Sequence, residues 1–181
     1  DTFDANVRNW PTDTDANDYG SWTRELADGA YRWSMKTPKG VHSTIRLSAA
    51  AVTPLYFAAD MRQISGADAG HGLVLHASED SQYFFAIINS QRYYLARMVQ
   101  GQWTLLANWT PCAAIRPWQT NRLAVAAGNG QFALLINDHF VGMFEDALIS
   151  QGQVGFAIDL MPGKEAVFEF DNLELRSSAE P

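Results

Sequence analysis

The chain closes on the stretch Glu165-Ala166-Val167-Phe168-Glu169-Phe170-Asp171-Asn172-Leu173-Glu174-Leu175, whose alternation of apolar and polar residues predicts a long β-strand. Phe168 and Phe170 share one parity of this alternation, whereas Leu173 and Leu175 share the other. All four can face a core only if an extra residue near Asn172 forms a β-bulge. We therefore predict a bulged final strand that seals a two-sheet sandwich.

The same alternation recurs along the chain in short runs rich in aromatic and β-branched residues, and no stretch holds a helical period. The predicted strands are Ala30–Lys36, Leu55–Ile64, Gly72–Ala77, Tyr83–Asn89, Tyr93–Val99, Gln102–Trp109, Asn121–Ala127, Gln131–Asn137, His139–Phe144, Gly152–Leu160 and Glu165–Leu175. With no helices to cover a sheet, the apolar faces of the strands must be buried against each other.

Gly, Asn and Asp residues lie at the joints between these runs, where tight hairpins need positive φ. The joints are Asn89-Ser90-Gln91-Arg92, Gln100-Gly101, Gly128-Asn129-Gly130 and Asn137-Asp138. Consecutive strands are therefore expected to be antiparallel neighbours. The predicted fold is all-β, a two-sheet antiparallel jelly-roll sandwich of about a dozen strands that forms a single domain over residues 1–181.

Composition excludes several classes of function. The 181 residues, 47% of them hydrophobic, suffice for one substantial core without disulfides, and the single cysteine, Cys112, excludes an internal one. The net charge of −7 argues against a nucleic-acid partner. No apolar run approaches the roughly 20 residues that cross a bilayer, so we expect no membrane insertion by this segment.

Several short motifs follow one another in a specific order from residue 77 onward. They are Glu79-Asp80-Ser81-Gln82-Tyr83-Phe84-Phe85, Tyr93-Tyr94, Gly101-Gln102-Trp103, Trp109, Asn121-Arg122-Leu123-Ala124-Val125, Gly152-Gln153-Val154-Gly155-Phe156 and Phe168-Glu169-Phe170-Asp171-Asn172. With this order the chain resembles the concanavalin A-like lectin/glucanase superfamily, especially the laminin-G-like and 3-keto-disaccharide-hydrolase-like modules of bacterial exported proteins. The resemblance implies a jelly roll that faces carbohydrate outside the cell or at its surface. It also raises the expectation that the module is tethered to a larger membrane-anchored or secreted protein.

Aromatic side chains give the strongest indication of a binding function, because sugar rings stack their apolar faces on Trp and Tyr. In the run Tyr83–Asn89 both parities are apolar or aromatic, so one face of this hairpin is predicted to be open to ligand. The predicted ligand-binding residues are His76, Tyr83, Tyr93, Arg97 and Trp118. For any single one of these aromatic rings, core packing is the competing interpretation.

The final strand also holds a pattern that could carry catalysis. Glu169, Asp171 and Glu174 have the Glu-x-Asp-x-x-Glu spacing of family 16 glycoside hydrolases, and the bulge would place them on one face. A retaining glycosidase needs two carboxyls about 5 Å apart, one as nucleophile and one as acid. The competing interpretations are a solvated face, or an anchor that ties the final strand to the N-terminal segment.

That anchor could be made by hydrogen bonds or by a structural calcium ion, which related jelly rolls often hold near this position. Asp4 and Asp171 are the predicted calcium ligands, because calcium takes six to eight oxygens and carboxylates from both ends of the chain could begin such a set. The segment Asp13-Thr14-Asp15-Ala16-Asn17-Asp18 alternates oxygen ligands but has Asp18 where a calcium loop needs Gly, so a solvated polar loop is predicted there.

We therefore predict an extracellular carbohydrate-binding module without catalytic activity and without a required cofactor. One alternative is a glycoside hydrolase that acts on a di- or oligosaccharide through the carboxylates of the last strand. A second alternative is a structural or adhesive ectodomain that contacts another protein.

Overall fold

The structure, a computed structural model, describes residues 1–47 and 55–177. These residues form fourteen strands and no helix. The strands are β1 (Asp13–Asn17), β2 (Gly20–Ala27), β3 (Ala30–Thr37), β4 (Val41–Arg46), β5 (Leu55–Gly66), β6 (Gly70–Ala77), β7 (Gln82–Ile88), β8 (Arg92–Val99), β9 (Gln102–Pro111), β10 (Asn121–Gly128), β11 (Gln131–Ile136), β12 (His139–Glu145), β13 (Gln153–Leu160) and β14 (Lys164–Ser177).

The strands form two antiparallel sheets, which confirms the predicted all-β sandwich. An eight-stranded sheet has the order β1-β2-β3-β14-β5-β10-β11-β12, and a six-stranded sheet has the order β4-β13-β6-β7-β8-β9. In the eight-stranded sheet the closing strand β14 lies between β3 and β5. The last strand is therefore a central strand of this sheet. It connects β3, from the first part of the chain, to β5, from its middle.

The core lies between the two sheets and is rich in aromatic rings. Phe168 and Phe170 of β14 face it, and Phe170 stacks on Phe156 of β13 in the opposite sheet with ring centroids 4.4 Å apart. The N-terminal segment adds Phe3 and Trp10, both almost fully buried, to the same cluster. This segment therefore closes one part of the sandwich even though it forms no strand.

The predicted bulge in the last strand is present. The register of β14 on β5 shifts between Asp171 and Glu174, and Asn172 has a φ of 49°. Leu173 is thereby turned into the core, on the same side as Phe170. The tie to the N-terminal segment runs through Asp1, whose carbonyl accepts from the Leu173 amide at 2.9 Å.

Three strands were not predicted, and one of them replaces a predicted loop. The segment from Asp13 to Asn17 is an edge strand, and it pairs with β2 in the register that sets Asp13 opposite Arg24. All five of its side chains are exposed. Its strand conformation comes from pairing with its neighbour, which a run of polar residues does not reveal. The strands β2 and β4 complete the set that the sequence did not predict.

Candidate functional site

The outer face of the six-stranded sheet carries a second hydrophobic cluster, separate from the core. Phe84 lies between two core residues of β7, and Tyr94 lies between two core residues of β8. Because side chains alternate along a strand, these rings point away from the sandwich interior. Together with Val74, Ala86 and Ala157 they form a compact apolar floor on this outer face.

A groove of about 390 Å³ lies beside this floor and has an uncharged hydrogen-bonding set in it; we call it the His42 groove. His42 and Thr44 of β4 face Gln82 of β7 across it. The Gln82 amide donates to His42 Nε2 at 2.6 Å, and the Thr44 hydroxyl donates to Gln82 Oε1 at 3.2 Å. These contacts fix three polar side chains at defined positions on a rigid sheet, as a site for a polar ligand requires.

A tryptophan ring forms one wall of the His42 groove. Trp103 of the edge strand β9 packs edge-on against the His42 ring, with centroids 4.6 Å apart, and 43% of its surface stays exposed. Burial lowers the pKa of His42 to about 4, so this ring is neutral at physiological pH. Arg46 and Glu79 supply charge of both signs elsewhere in the groove. The groove can thus offer an apolar ring face next to neutral donors and acceptors.

Two of the predicted ligand-binding residues lie in the core. Tyr83 is 0% exposed and Tyr93 is 5% exposed, and their hydroxyls donate to Asp146 and to the Val141 carbonyl respectively. The prediction that these rings stand on an open face is therefore wrong. The hairpin of β7 and β8 is apolar on both faces, so its sequence pattern does not show which face the eight-stranded sheet covers. In the structure Phe84 and Tyr94 are the rings that face outward.

His76 and Arg97 lie near Tyr83 in a buried network. Arg97 pairs with the Asp146 carboxylate, which also accepts from the Tyr83 hydroxyl at 2.7 Å. His76 Nδ1 lies 2.9 Å from the Ile149 carbonyl. Both contacts attach the segment after β12 to the six-stranded sheet. Their position indicates a structural role, and whether either residue binds a ligand stays untested.

Trp118 lies where a ligand could reach it. Its side chain is 48% exposed in the loop before β10, and its backbone amide donates to Asn89 Oδ1 at 2.7 Å. The ring does not belong to the His42 groove. Its predicted role in binding stays a prediction that a variant can test.

The carboxylates of β14 lie on the outer face of the eight-stranded sheet, as the bulge predicts. Glu169 is almost buried, and it accepts from Arg32 of β3 at 2.8 Å and from Arg62 of β5 at 2.6 Å. Glu174 accepts from Arg122 at 2.8 Å. Each of these carboxylates is therefore paired with at least one arginine.

Asp171 is in a different environment from Glu169. It lines a groove of about 380 Å³ together with Glu169 and Asp60; we call it the acidic groove. Asp60 stands directly opposite Asp171 on β5. Burial raises the pKa of Asp171, and the nearby carboxylates of Asp60 and Asp4 raise it further. Glu169 is paired with two arginines, whereas Asp171 has a raised pKa, and such an asymmetry between two carboxyls is one that acid catalysis can use.

The predicted calcium ligands Asp4 and Asp171 lie close enough for the Asp4 carboxylate to raise the pKa of Asp171. Asp4 accepts from the Thr2 hydroxyl at 2.7 Å, and Asp171 accepts from the Asn172 amide at 2.6 Å. Within residues 1–47 and 55–177, no group of three or more His, Cys, Asp or Glu side chains is arranged to hold a metal ion. Two carboxylates fall short of the coordination that calcium needs. The calcium ion stays a prediction.

The sequence interpretation missed the residues of the His42 groove. A signal was present, because His42, Thr44 and Arg46 alternate with Val41 and Ile45, which is the period of a half-buried strand. The run is short and contains only two strongly apolar residues. A strand predicted here would put His42, Thr44 and Arg46 on the same outer face of a sheet.

No protein-family model and no curated protein matches the chain. Solved structures match it over nearly its whole length. The carbohydrate-binding module CBM66 from Bacillus subtilis has a TM-score of 0.68 at 16% identity, covering 92% of this chain and 100% of that one. A Bacillus subtilis protein of unknown function with a galectin-like fold has a TM-score of 0.64 at 12% identity, covering 95% and 94%.

A third structure comes from work on endo-acting O-glycanases of the human gut microbiota that initiate mucin breakdown. Its TM-score is 0.65 at 7% identity, and the match covers 97% of this chain and 96% of that one. At these identities the likeness establishes the fold. It confirms the jelly-roll fold that the resemblance implies. The part of the chain that the structure describes also contains no helix long and apolar enough to cross a membrane.

Proposed function

We propose that this domain binds carbohydrate and that the glycan lies in the His42 groove. The observation that carries the proposal is the exposed Trp103 ring beside the mutually bonded side chains of His42, Gln82 and Thr44. Sugar rings combine an apolar C–H face with hydroxyls that both donate and accept. A tryptophan face next to neutral amide, imidazole and hydroxyl groups matches that combination.

The structural neighbours support this proposal. The solved structure of a module named as carbohydrate-binding shares the fold over almost the full length of both chains. We extend the proposal to a non-catalytic module outside the cell or at its surface, carried by a larger secreted or membrane-anchored protein. Polymeric glycans occur outside the cell and at its surface. The His42 groove offers a ring for stacking and groups for hydrogen bonds, and its hydrogen-bonded side chains, His42, Thr44 and Gln82, include no carboxylate.

Tryptophan substitutions test the location of the site. A glycan array identifies a bound glycan, and calorimetry then compares the wild-type chain with Trp103→Ala, Trp118→Ala and Phe140→Ala. We expect Trp103→Ala to weaken binding by at least about tenfold, because it removes the stacking wall. Phe140→Ala is the matched control, since this exposed ring lies on β12 in the other sheet.

Two results would overturn the proposal. If Trp118→Ala abolishes binding while Trp103→Ala binds like the wild type, the glycan lies on the loop before β10 and not in the His42 groove. If no glycan on the array binds, the structural or adhesive ectodomain becomes the better interpretation.

A glycoside hydrolase is the second candidate function, because Glu169 and Asp171 line one open groove. Its test is turnover of any glycan that the array identifies. Glu169→Gln and Glu174→Gln should abolish turnover if these carboxylates carry the chemistry. Turnover that is unchanged in both variants excludes the last strand as the active site.

A further inference from the structure

A continuous row of aromatic rings crosses the outer face of the six-stranded sheet from Trp103 to Trp109. His42 contacts Trp103 and Phe84, with ring centroids 4.6 Å and 4.8 Å away. Phe84 contacts Tyr94 at 5.5 Å, and Tyr94 contacts Trp109 at 4.6 Å. All four separations lie in the range at which aromatic rings attract each other. We call this set the aromatic row.

The two ends of the aromatic row are open, whereas its middle is not. Trp103 is 43% exposed and Trp109 is 41% exposed, but Phe84 and Tyr94 are almost completely buried. The buried rings therefore support the exposed ones from below. The two tryptophans are joined by a row of contacting rings on one sheet face and are not scattered surface residues, so this arrangement points to a surface that meets a ligand.

The separation of the two tryptophans sets the size of that ligand. They lie six residues apart on β9, but two bulges in β9 shorten the distance between them. The facing residues on β8 run only from Met98 to Tyr94, which spans roughly 14 Å along that strand. Ala96 and Leu105 face each other on β8 and β9 between them, so small and apolar side chains occupy the intervening surface. No single sugar ring can touch both tryptophans, whereas a chain of sugars that follows β9 can.

The distal tryptophan also has polar groups beside it. Arg92 donates to the Trp109 backbone carbonyl at 2.8 Å, which places an exposed guanidinium at the backbone of this residue. The Tyr94 hydroxyl donates to Asp159 Oδ2 at 3.1 Å on the same outer face. Trp109 thus repeats the combination found at Trp103, a ring face with hydrogen-bonding groups close by.

We propose that the ligand is an extended glycan chain that lies along β9 and stacks on Trp103 at one end and on Trp109 at the other. This inference rests on the carbohydrate-binding function proposed above and adds to it a second aromatic platform and a minimum chain length. Two contacts joined by one chain strengthen binding, because the second contact forms at a high effective concentration once the first is made. Affinity should then rise with the number of sugar units until both rings are covered.

A chain-length series tests the inference on the full chain. The probes are arrayed oligosaccharides of two to six units, with gluco-, xylo-, manno- and fructo-oligosaccharides among them, and calorimetry follows for each series that binds. The measured quantity is the ratio of the affinity for the hexasaccharide to that for the disaccharide. We expect about tenfold or more for the wild type and for Phe140→Ala, and a ratio near one for Trp109→Ala. Circular dichroism confirms that each variant is folded.

The outcomes separate this inference from the proposed function. A hexasaccharide that binds no tighter than the disaccharide, or a Trp109→Ala variant that keeps the full ratio, overturns the extended site. The His42 groove would then still be the binding site if Trp103→Ala abolishes binding. Absence of binding to every series overturns both proposals.

Discussion

Gln82 donates its amide to His42 Nε2 at 2.6 Å, and this bond makes Nε2 of the imidazole an acceptor in the His42 groove. A ring nitrogen that accepts a hydrogen bond carries no proton of its own. The low pKa of His42, about 4, which results from burial, agrees with this neutral state. The ring is therefore a fixed neutral partner for sugar hydroxyls and not a charge that changes near pH 6.

Glycan binding should consequently be insensitive to pH over the range in which most histidines titrate. We expect the affinity to stay constant from pH 8 to pH 5 and to fall as the pH approaches 4, where His42 becomes protonated and can no longer accept from Gln82. Calorimetry at a series of pH values measures this, with circular dichroism at each pH to confirm folding. A change in affinity centred near pH 6.5 would contradict the assignment.

Glu169→Gln should destabilise the fold. Glu169 lies between Arg32 and Arg62, and its replacement leaves two guanidinium groups opposite a neutral amide. We expect a loss of about 1–3 kcal/mol in the free energy of unfolding, measured in urea. Glu165→Gln is the control, because its pair with Lys36 is exposed and should contribute less than about 0.5 kcal/mol. Equal effects of the two variants would show that the Glu169 pairs add nothing.

The domain should lose stability in mild acid through His71. This side chain is fully buried beside the Phe168 ring, and burial lowers its pKa to about 4, whereas the unfolded chain binds the proton near pH 6.5. Stability from this group is therefore complete above pH 6.5 and is lost as the pH falls towards 4. The loss should be on the order of 3 kcal/mol.

Unfolding in urea between pH 7 and pH 4 measures this loss. His71→Phe removes the titrating group, so its stability should depend less on pH than that of the wild type. His139→Gln changes an exposed histidine and should leave the dependence unaltered. A His71→Phe variant with the full wild-type pH dependence would refute the assignment.

The bulge at Asn172 should tolerate glycine better than valine. Asn172 has a φ of 49°, a conformation that β-branched residues rarely adopt. Its side-chain amide donates to Asp60 Oδ2 at 2.9 Å. Asn172→Val should therefore lower the free energy of unfolding by about 1–2 kcal/mol more than Asn172→Gly does. Thermal unfolding ranks the two variants. A valine variant as stable as the glycine variant would show that the bulge moves at little cost.

The sequence predicted the closing strand well because its core residues are unambiguous. Phe168, Phe170 and Leu173 are strongly apolar, and their parity could be reconciled only by a bulge at Asn172. The hairpin of β7 and β8 had no such contrast. Both of its faces are apolar, so the choice between Tyr83 and Phe84 as the outward ring depends on which face the eight-stranded sheet covers, and that is a tertiary property.

The candidate site was harder to predict than the fold because it is assembled from strands far apart in sequence. His42 and Gln82 are separated by forty residues, and Trp103 joins them only because β9 ends the six-stranded sheet next to β8. Local periodicity can predict that a residue faces outward. It cannot predict which outward residues of three different strands meet.

The exposed strand β1 limits how the domain can associate. It forms the open edge of the eight-stranded sheet, where unpaired backbone groups could accept a strand from another molecule. Asp13 on this edge is paired with Arg24, but Asp15 adds an exposed carboxylate, so a second copy approaching through its own β1 would bring like charges together. With a net charge of −7 on each chain, that approach is unfavourable at long range as well. The charged residues of β1 therefore disfavour growth of the sheet from this edge through stacked copies of the chain.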